Sequence, residues 1–259
     1  IDDVKNMVSE VKRLQDTLGR APRGVVVGGG LLGLEAAEGL KDLGAEPTIL
    51  DVAPWLLSVE VDQGGGYAVN AQIKATGIDI ETGVYISGIN KDADGNVVSV
   101  SIADSPSEDA EIRTLPADMV VFGAGIRPND ELARDADLAL GERGGILVND
   151  ACHSSDEHIW AIGEVACVLG RTWGLVAPAN AMADAVAANL LNDNEEAQVE
   201  EFDIATKLKF SGVQVAGFGD RRGTTEGCLE VLFADPARGM YQKIVTSGDA
   251  KTLLGGCLL

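Results

Sequence analysis

The stretch Val25-Val26-Val27-Gly28-Gly29-Gly30-Leu31-Leu32-Gly33-Leu34-Glu35 runs an apolar, β-branched segment straight into a glycine turn and out into a helical pattern. Gly28, Gly30 and Gly33 fit G-x-G-x-x-G, which says little alone and much more when it joins a strand to a helix. In that setting the first glycine permits the tight turn and the second lets backbone approach a pyrophosphate. The third lets helix and strand pack closely. The helix start adds free N–H groups, those of Leu31 and Leu32 among them, and the positive end of the helix dipole. The spacing therefore predicts a dinucleotide site on this turn. Asp51 closes the next strand, at about the 20-residue interval where a carboxylate accepts ribose hydroxyls. No Lys or Arg lies between Val52 and Glu60 to receive a 2′-phosphate, which favours NADH over NADPH.

Upstream, Val4, Val8, Val11, Leu14 (or Gln15) and Leu18 recur at helical steps until Gly19, predicting an amphipathic helix over 2–18. Downstream, a helix over 31–43, a strand over 48–51, a helix over 62–75 and a strand over 78–80 follow the turn. That alternation implies a parallel sheet with right-handed crossovers. After Gly83 the pattern becomes two-residue alternation, with a turn at Asp92–Gly95 and an acidic loop over 104–110. This predicts an antiparallel meander inserted before a core strand at 119–122. Further on come strand candidates at 146–148 and 159–162, an Ala-rich helix over 179–191 and a polar linker over 192–201. Strands are expected near 213–218, 229–233 and 241–246. The fold class expected is α/β. It comprises a connecting helix over 1–20, a Rossmann-like NAD-binding domain with the meander over 21–124, a further unit over 125–192 and a small C-terminal α+β unit over 193–259. The glycines at 64–66 and 217–219 lack phosphate-loop spacing and read as structural.

The apolar fraction of the 259 residues, 46%, is enough for a buried core, and 32 glycines with 4% aromatics suit backbone-to-backbone α/β packing. Asp and Glu outnumber Lys and Arg by 41 to 20, a net charge of −21. Such a surface repels phosphate backbones and anionic lipids, so nucleic-acid and membrane partners are not expected. The four cysteines and two histidines lack metal-ligand spacing and read as structural, the cysteines reduced, which suits a cytoplasmic protein. No span and no signal peptide are expected. The first residue, Ile1, is not Met, which suggests a fragment.

The dinucleotide loop, the inserted meander and then Val121-Phe122-Gly123-Ala124-Gly125-Ile126-Arg127-Pro128-Asn129 together resemble the pyridine nucleotide–disulfide oxidoreductase superfamily. Ile159-Trp160-Ala161-Ile162-Gly163-Glu164 looks like that superfamily's second FAD motif. Within it, Arg143-Gly144-Gly145-Ile146, Gly163-Glu164-Val165-Ala166-Cys167, Gly174-Leu175-Val176-Ala177-Pro178, Thr206-Lys207-Leu208-Lys209 and Lys251-Thr252-Leu253-Leu254-Gly255 resemble the flavoprotein region of NAD(P)H nitrite reductase large subunits. The resemblance covers nearly the whole chain. It departs from the family in three ways. The N-terminal FAD half and the downstream iron–sulfur and sirohaem domains are missing, Glu164 stands where the wider superfamily has Asp, and Asp51 is one methylene shorter than the usual Glu.

The resemblance implies FAD beside NAD, hydride transfer from nicotinamide to flavin, and residues 125–192 as the C-terminal part of the FAD-binding domain. The last unit would then be an interface domain. Gly28, Gly30 and Gly33 would hold the NADH pyrophosphate and Asp51 the adenine-side ribose. Glu35 matches a family position near the nicotinamide and flavin, as the candidate catalytic residue. It reads equally as a first-turn carboxylate favouring the helix dipole. Gly123 and Gly125 would let NAD come close, with Arg127 and Pro128 fixing the crossover. Gly163 and Glu164 would meet the FAD ribityl region. Ala177, Pro178 and Asn180 would lie at a helix start that stabilises charge on reduced flavin. Partners implied are NADH and the missing domains of the same polypeptide, with a homodimer left open. The competing readings are a non-catalytic NAD(H)-binding or assembly module, a ferredoxin- or rubredoxin-type reductase, and an NADH oxidase.

Overall fold

The computed structural model describes residues 2–107, 109–191, 197–202 and 204–259. The chain divides into two compact units, residues 1–124 with 205–259 and residues 125–204. The first unit begins with helix α1 (Asp2–Leu18), followed by strand β1 (Arg23–Val27), helix α2 (Leu31–Asp42), strand β2 (Glu46–Asp51), helix α3 (Gln63–Ala75) and strand β3 (Asp79–Thr82). Strands β4 (Tyr85–Lys91), β5 (Val97–Ala103) and β6 (Ile112–Pro116) come next, and then β7 (Met119–Phe122). The order β3-β2-β1-β7 is a parallel sheet, and β4-β5-β6 form an antiparallel meander. Both match the alternation read from the sequence.

Helix α2 packs on β1 and β2 because Leu34, Ala37 and Leu40 stand at three-residue steps and are fully buried. Each buried leucine contributes roughly 1.5–3 kcal/mol. The meander seats on the sheet through Val84, Val100, Ile102 and Ala117, which cluster with Val25 and Leu50. The amphipathic stripe of α1 is only half used. Val11 and Leu14 are buried, whereas Val4 and Val8 are exposed.

The second unit holds helix α4 (Glu131–Asp135), strands β8 (Ile146–Leu147), β9 (Ala166–Val168) and β10 (Arg171–Thr172), and helix α5 (Val176–Leu191). Strand β9 pairs parallel with β8 and antiparallel with β10. Its core gathers Cys152, Ala161, Val168, Trp173, Met182 and Phe202. Trp173 and Phe202 meet edge to face, and the Trp173 indole N–H donates to the Val168 carbonyl at 3.1 Å. Two expectations change here. Residues 159–162 form a single bridge between His153 and Trp160 rather than a strand, because their partner segment turns sharply at Asn149, whose side chain accepts from Ala151 and His153. Helix α5 begins at Val176, three residues earlier than read, so Pro178 lies inside the first turn, where its missing N–H still costs no helix bond. Part of the expected 192–201 linker, residues 192–196, lies outside the described residues.

Residues 205–259 carry strands β11 (Thr206–Lys207), β12 (Ala216–Gly219), β13 (Leu229–Asp235), β14 (Met240–Thr246) and β15 (Leu253–Leu258), in one sheet of order β11-β12-β15-β14-β13. Among the described residues this segment contains no helix. The compact units divide differently from the expected 193–259 boundary. The inner face of this sheet, with Tyr241 and Cys257, joins the core of residues 1–124 together with Leu208, Phe210 and Val213. Gly64 makes that approach possible, and Gly66 makes room for Trp55 of the preceding loop. A Cβ on Gly64 would stand 2.7 Å from the Tyr241 ring, and one on Gly66 would stand 2.0 Å from Trp55.

Candidate functional site

The glycine turn lies where β1, β7 and α2 converge, and its glycines do different jobs. Gly28, at φ +112°, donates its N–H to the Leu50 carbonyl at 2.8 Å, and a Cβ there would fall 2.5 Å from the Gly123 carbonyl oxygen. A Cβ on Gly33 would fall 1.9 Å from the Gly28 carbonyl oxygen, and one on Gly123 would fall 3.1 Å from the Gly33 Cα. Gly28, Gly33 and Gly123 are therefore glycines because three backbones touch. Gly30 differs: nothing lies within 4 Å of where its Cβ would be. It caps α2 with extended backbone and no side chain. The first helical bond inside α2 is Leu34 N–H to the Gly30 carbonyl at 3.0 Å, so the N–H groups of Leu31, Leu32 and Gly33 precede the helix ladder. That end of α2 is open backbone with a positive dipole, suited to an anion.

Asp51 ends β2 beside this turn. One carboxylate oxygen accepts the Gly29 N–H, and the other accepts the Ala53 N–H at 2.7 Å. Each oxygen keeps a further acceptor site. The chain beyond Asp51 folds back on the turn: Leu57 donates its N–H to the Gly29 carbonyl at 2.8 Å, and Leu56 packs where a Gly29 side chain would go. Val52 is exposed. Glu35, half-buried, accepts the Lys209 N–H at 3.3 Å, and Glu38 accepts the Ser211 N–H at 2.6 Å. The 209–211 turn thus lies along the same flank of α2 as Glu35. Sequence reading overlooked the Leu56–Leu57 contact, and no motif signals it.

The second unit carries the other expected residues. Gly163–Val165 form one turn of 3-10 helix against α5, with Gly163 at φ +77° and its N–H directed at the Met182 sulfur at 3.3 Å. Glu164 and Ala177 are exposed, Asn180 is exposed one turn on, and Pro178 is buried. Gly125, at φ +86°, has open space around it. An acidic side chain beside a bare helix start is a donor-and-acceptor set that fits a polyhydroxylated phosphate ester. The His153 and Trp160 rings meet at 4.3 Å with their planes tilted by 52°, and among the described residues no group of three metal-ligating side chains occurs. All four cysteines are free thiols, and burial pushes the Cys257 thiol up to about 11.

A sequence profile of the pyridine nucleotide-disulphide oxidoreductase family matches residues 2–188. The chain belongs to that family. Among characterised relatives, it is 43% identical over 239 residues to a nitrite reductase [NAD(P)H] large subunit of Klebsiella oxytoca, covering 92% of this chain and 24% of that protein. It is 37% identical over 256 residues to the nitrite reductase (NADH) large subunit of Escherichia coli, covering 99% of this chain and 29% of that protein. Among solved structures, a ferredoxin reductase from Rhodopseudomonas palustris matches with a TM-score of 0.75 at 26% identity, covering 95% of this chain and 58% of that one. The chain thus spans roughly a quarter of the length of the nitrite reductases it matches. Among the described residues, no helix is long and apolar enough to cross a membrane.

Proposed function

We propose that this chain is the NADH-binding part of a flavoprotein that feeds electrons into a nitrite reductase, and that its oxidising partner is FAD. One observation carries the nucleotide half of the proposal. Gly30 is the glycine of the turn with no packing reason to lack a side chain, and it stands at the unsatisfied end of α2 beside Asp51. A pyrophosphate on the Leu31, Leu32 and Gly33 N–H groups would fill that opening. The free acceptor sites of Asp51 would then take the adenine-side ribose hydroxyls, and its charge would repel a 2′-phosphate.

When bound, the nicotinamide supplies a hydride and the flavin accepts it. The protein's share is alignment. Gly123 and Gly125 would keep the chain low beside the nucleotide, and Glu35, one turn beyond the pyrophosphate amides, would lie toward the nicotinamide. In the second unit Gly163 and Glu164 would hold the flavin ribityl hydroxyls. The α5 start, with Ala177 and Pro178, would favour negative charge through its dipole. The missing N-terminal FAD half and the iron–sulfur and sirohaem domains would come from the rest of a longer polypeptide, which is proposed to work in the cytoplasm.

The test is to titrate the 259-residue chain with NADH, NADPH and FAD. NADH should bind, NADPH should bind more weakly, flavin retention should be weak and NADH oxidation negligible. Robust flavin-dependent NADH oxidation by this chain alone would overturn the reading that it needs the missing half. The ribose assignment has its own test. Asp51→Ala combined with Val52→Arg should weaken NADH by about tenfold or more and move preference toward NADPH. An unchanged NADH/NADPH ratio would remove Asp51 from the ribose.

A further inference from the structure

The loop between Asp51 and α3 is gripped from its far side by buried charges that the nucleotide site does not itself use. Glu60 accepts from the Arg221 guanidinium and from the Thr206 hydroxyl, whose oxygen in turn accepts from Arg221 at 3.0 Å. Two residues on, Asp62 caps α3 by accepting the Gly65 N–H at 3.0 Å. It also accepts the Tyr241 hydroxyl at 2.8 Å and the Lys243 ammonium at 3.0 Å. Lys243, only 3% exposed, also reaches Glu230 at 2.8 Å and the Arg222 carbonyl at 3.2 Å. Burial alone would raise the Asp62 carboxyl, yet the Gly65, Tyr241 and Lys243 bonds hold it below the usual carboxylate range. Thr206 lies on strand β11, Tyr241 and Lys243 lie on β14, and Arg221 lies in the turn that follows β12.

The other end of the loop rests on the glycine turn through a short chain of backbone bonds. Glu60 donates its N–H to the Leu57 carbonyl at 2.8 Å, and Leu57 donates its own to the Gly29 carbonyl at 2.8 Å. Gly29 in turn donates to Asp51. Leu57 sits at φ +54°, a conformation that branched side chains avoid and that persists only when surroundings impose it. The imposing groups are on both sides: Gly29 on one, and Glu60 with its cationic clamp on the other. Buried ion pairs are poor sources of net stability, so their use here argues for fixed geometry.

We propose that Lys243 of the C-terminal sheet and Arg221 of the turn after its strand β12, through Asp62 and Glu60, are positioning residues for the dinucleotide, setting where Leu57 holds the Gly29 peptide and the Asp51 carboxylate. The proposal rests on the glycine turn being the NAD(H) site. It gives the C-terminal sheet a part in NADH recognition that needs no contact with the nucleotide itself.

The experiment compares NADH and NADPH dissociation constants and melting temperatures for the 259-residue chain and four variants. Lys243→Met should weaken NADH by about tenfold and reduce the preference for NADH over NADPH as Asp51 loosens. Thr206→Val keeps the shape and removes one hydroxyl from Glu60, and should weaken NADH by about three- to fivefold, with Thr206→Ser restoring it. Phe233→Ser, on the exposed face of the same sheet, should change neither affinity nor ratio. If Lys243→Met fails to fold, the threonine pair decides, because only one hydroxyl differs. Folded Lys243→Met and Thr206→Val chains with unaltered NADH affinity and ratio overturn the positioning role while leaving the nucleotide site intact. So does an equal loss in Phe233→Ser. A wild-type chain that ignores NADH defeats the nucleotide site, and this proposal with it.

Discussion

Gly30→Val should abolish measurable NADH binding, a loss of at least about a hundredfold, while lowering the melting temperature by no more than a few degrees, the cost of valine at a helix N-cap. The two halves of that expectation come from one fact. The space beside the Gly30 Cα is empty, and its backbone is extended with φ −82°, so a side chain enters without displacing protein atoms. β-Branched residues accept such backbone readily. The same side chain would stand between a pyrophosphate and the N–H groups of Leu31, Leu32 and Gly33. Calorimetric titration against NADH, with a thermal melt of the same sample, reads both halves. Retained NADH affinity in a folded Gly30→Val chain would refute the assignment of this turn.

Gly33→Ala should behave in the opposite way. Its single methyl group would be forced 1.9 Å from the Gly28 carbonyl oxygen, which is backbone and has nowhere to go. Helix α2 would have to lift off β1, pulling Leu34, Ala37 and Leu40 out of the core they fill. The expected cost is at least about 3 kcal/mol, or roughly 6–12 °C in melting temperature. Urea unfolding measures it directly, and a Gly33→Ala chain as stable as wild type would mean that α2 is not seated as described. Together the two substitutions separate glycines of one motif by purpose, one for ligand and one for packing. Sequence spacing alone treats them alike.

Much of the architecture was legible in the chain because its signals are local. The β-branched run at 25–27, the helical repeat through Leu34, Ala37 and Leu40 and the turn at Asp92–Gly95 each state their own conformation within a few residues. The same holds for the parallel sheet with its meander, since alternating periods imply it. The misread elements are those whose form depends on partners. Ile159–Ile162 has the apolar content of a strand, yet among the described residues forms a bridge with His153 alone, at a bend fixed by Asn149. The helix read over 179–191 begins at Val176, because a first-turn proline leaves the helix free to begin before it.

The sequence by itself determined the strand–turn–helix core, the small residues at 28, 30, 33 and 123, and the carboxylate at 51, because backbone sterics and hydrophobic period act between near neighbours. Only the tertiary structure decided which glycine is open and which are pressed between backbones. It also decided that residues 205–259 share a core with the nucleotide-binding sheet, and that Arg221 and Lys243 clamp Glu60 and Asp62. Those facts rest largely on contacts between residues 90 or more positions apart, such as Gly123 with Gly28 and Gly33 and Lys243 with Asp62, and burial of that kind leaves no periodic trace. The one local sign was a lysine at 243 on the inward face of β14, between Tyr241 and Val245, where an unpaired charge would be too costly to bury.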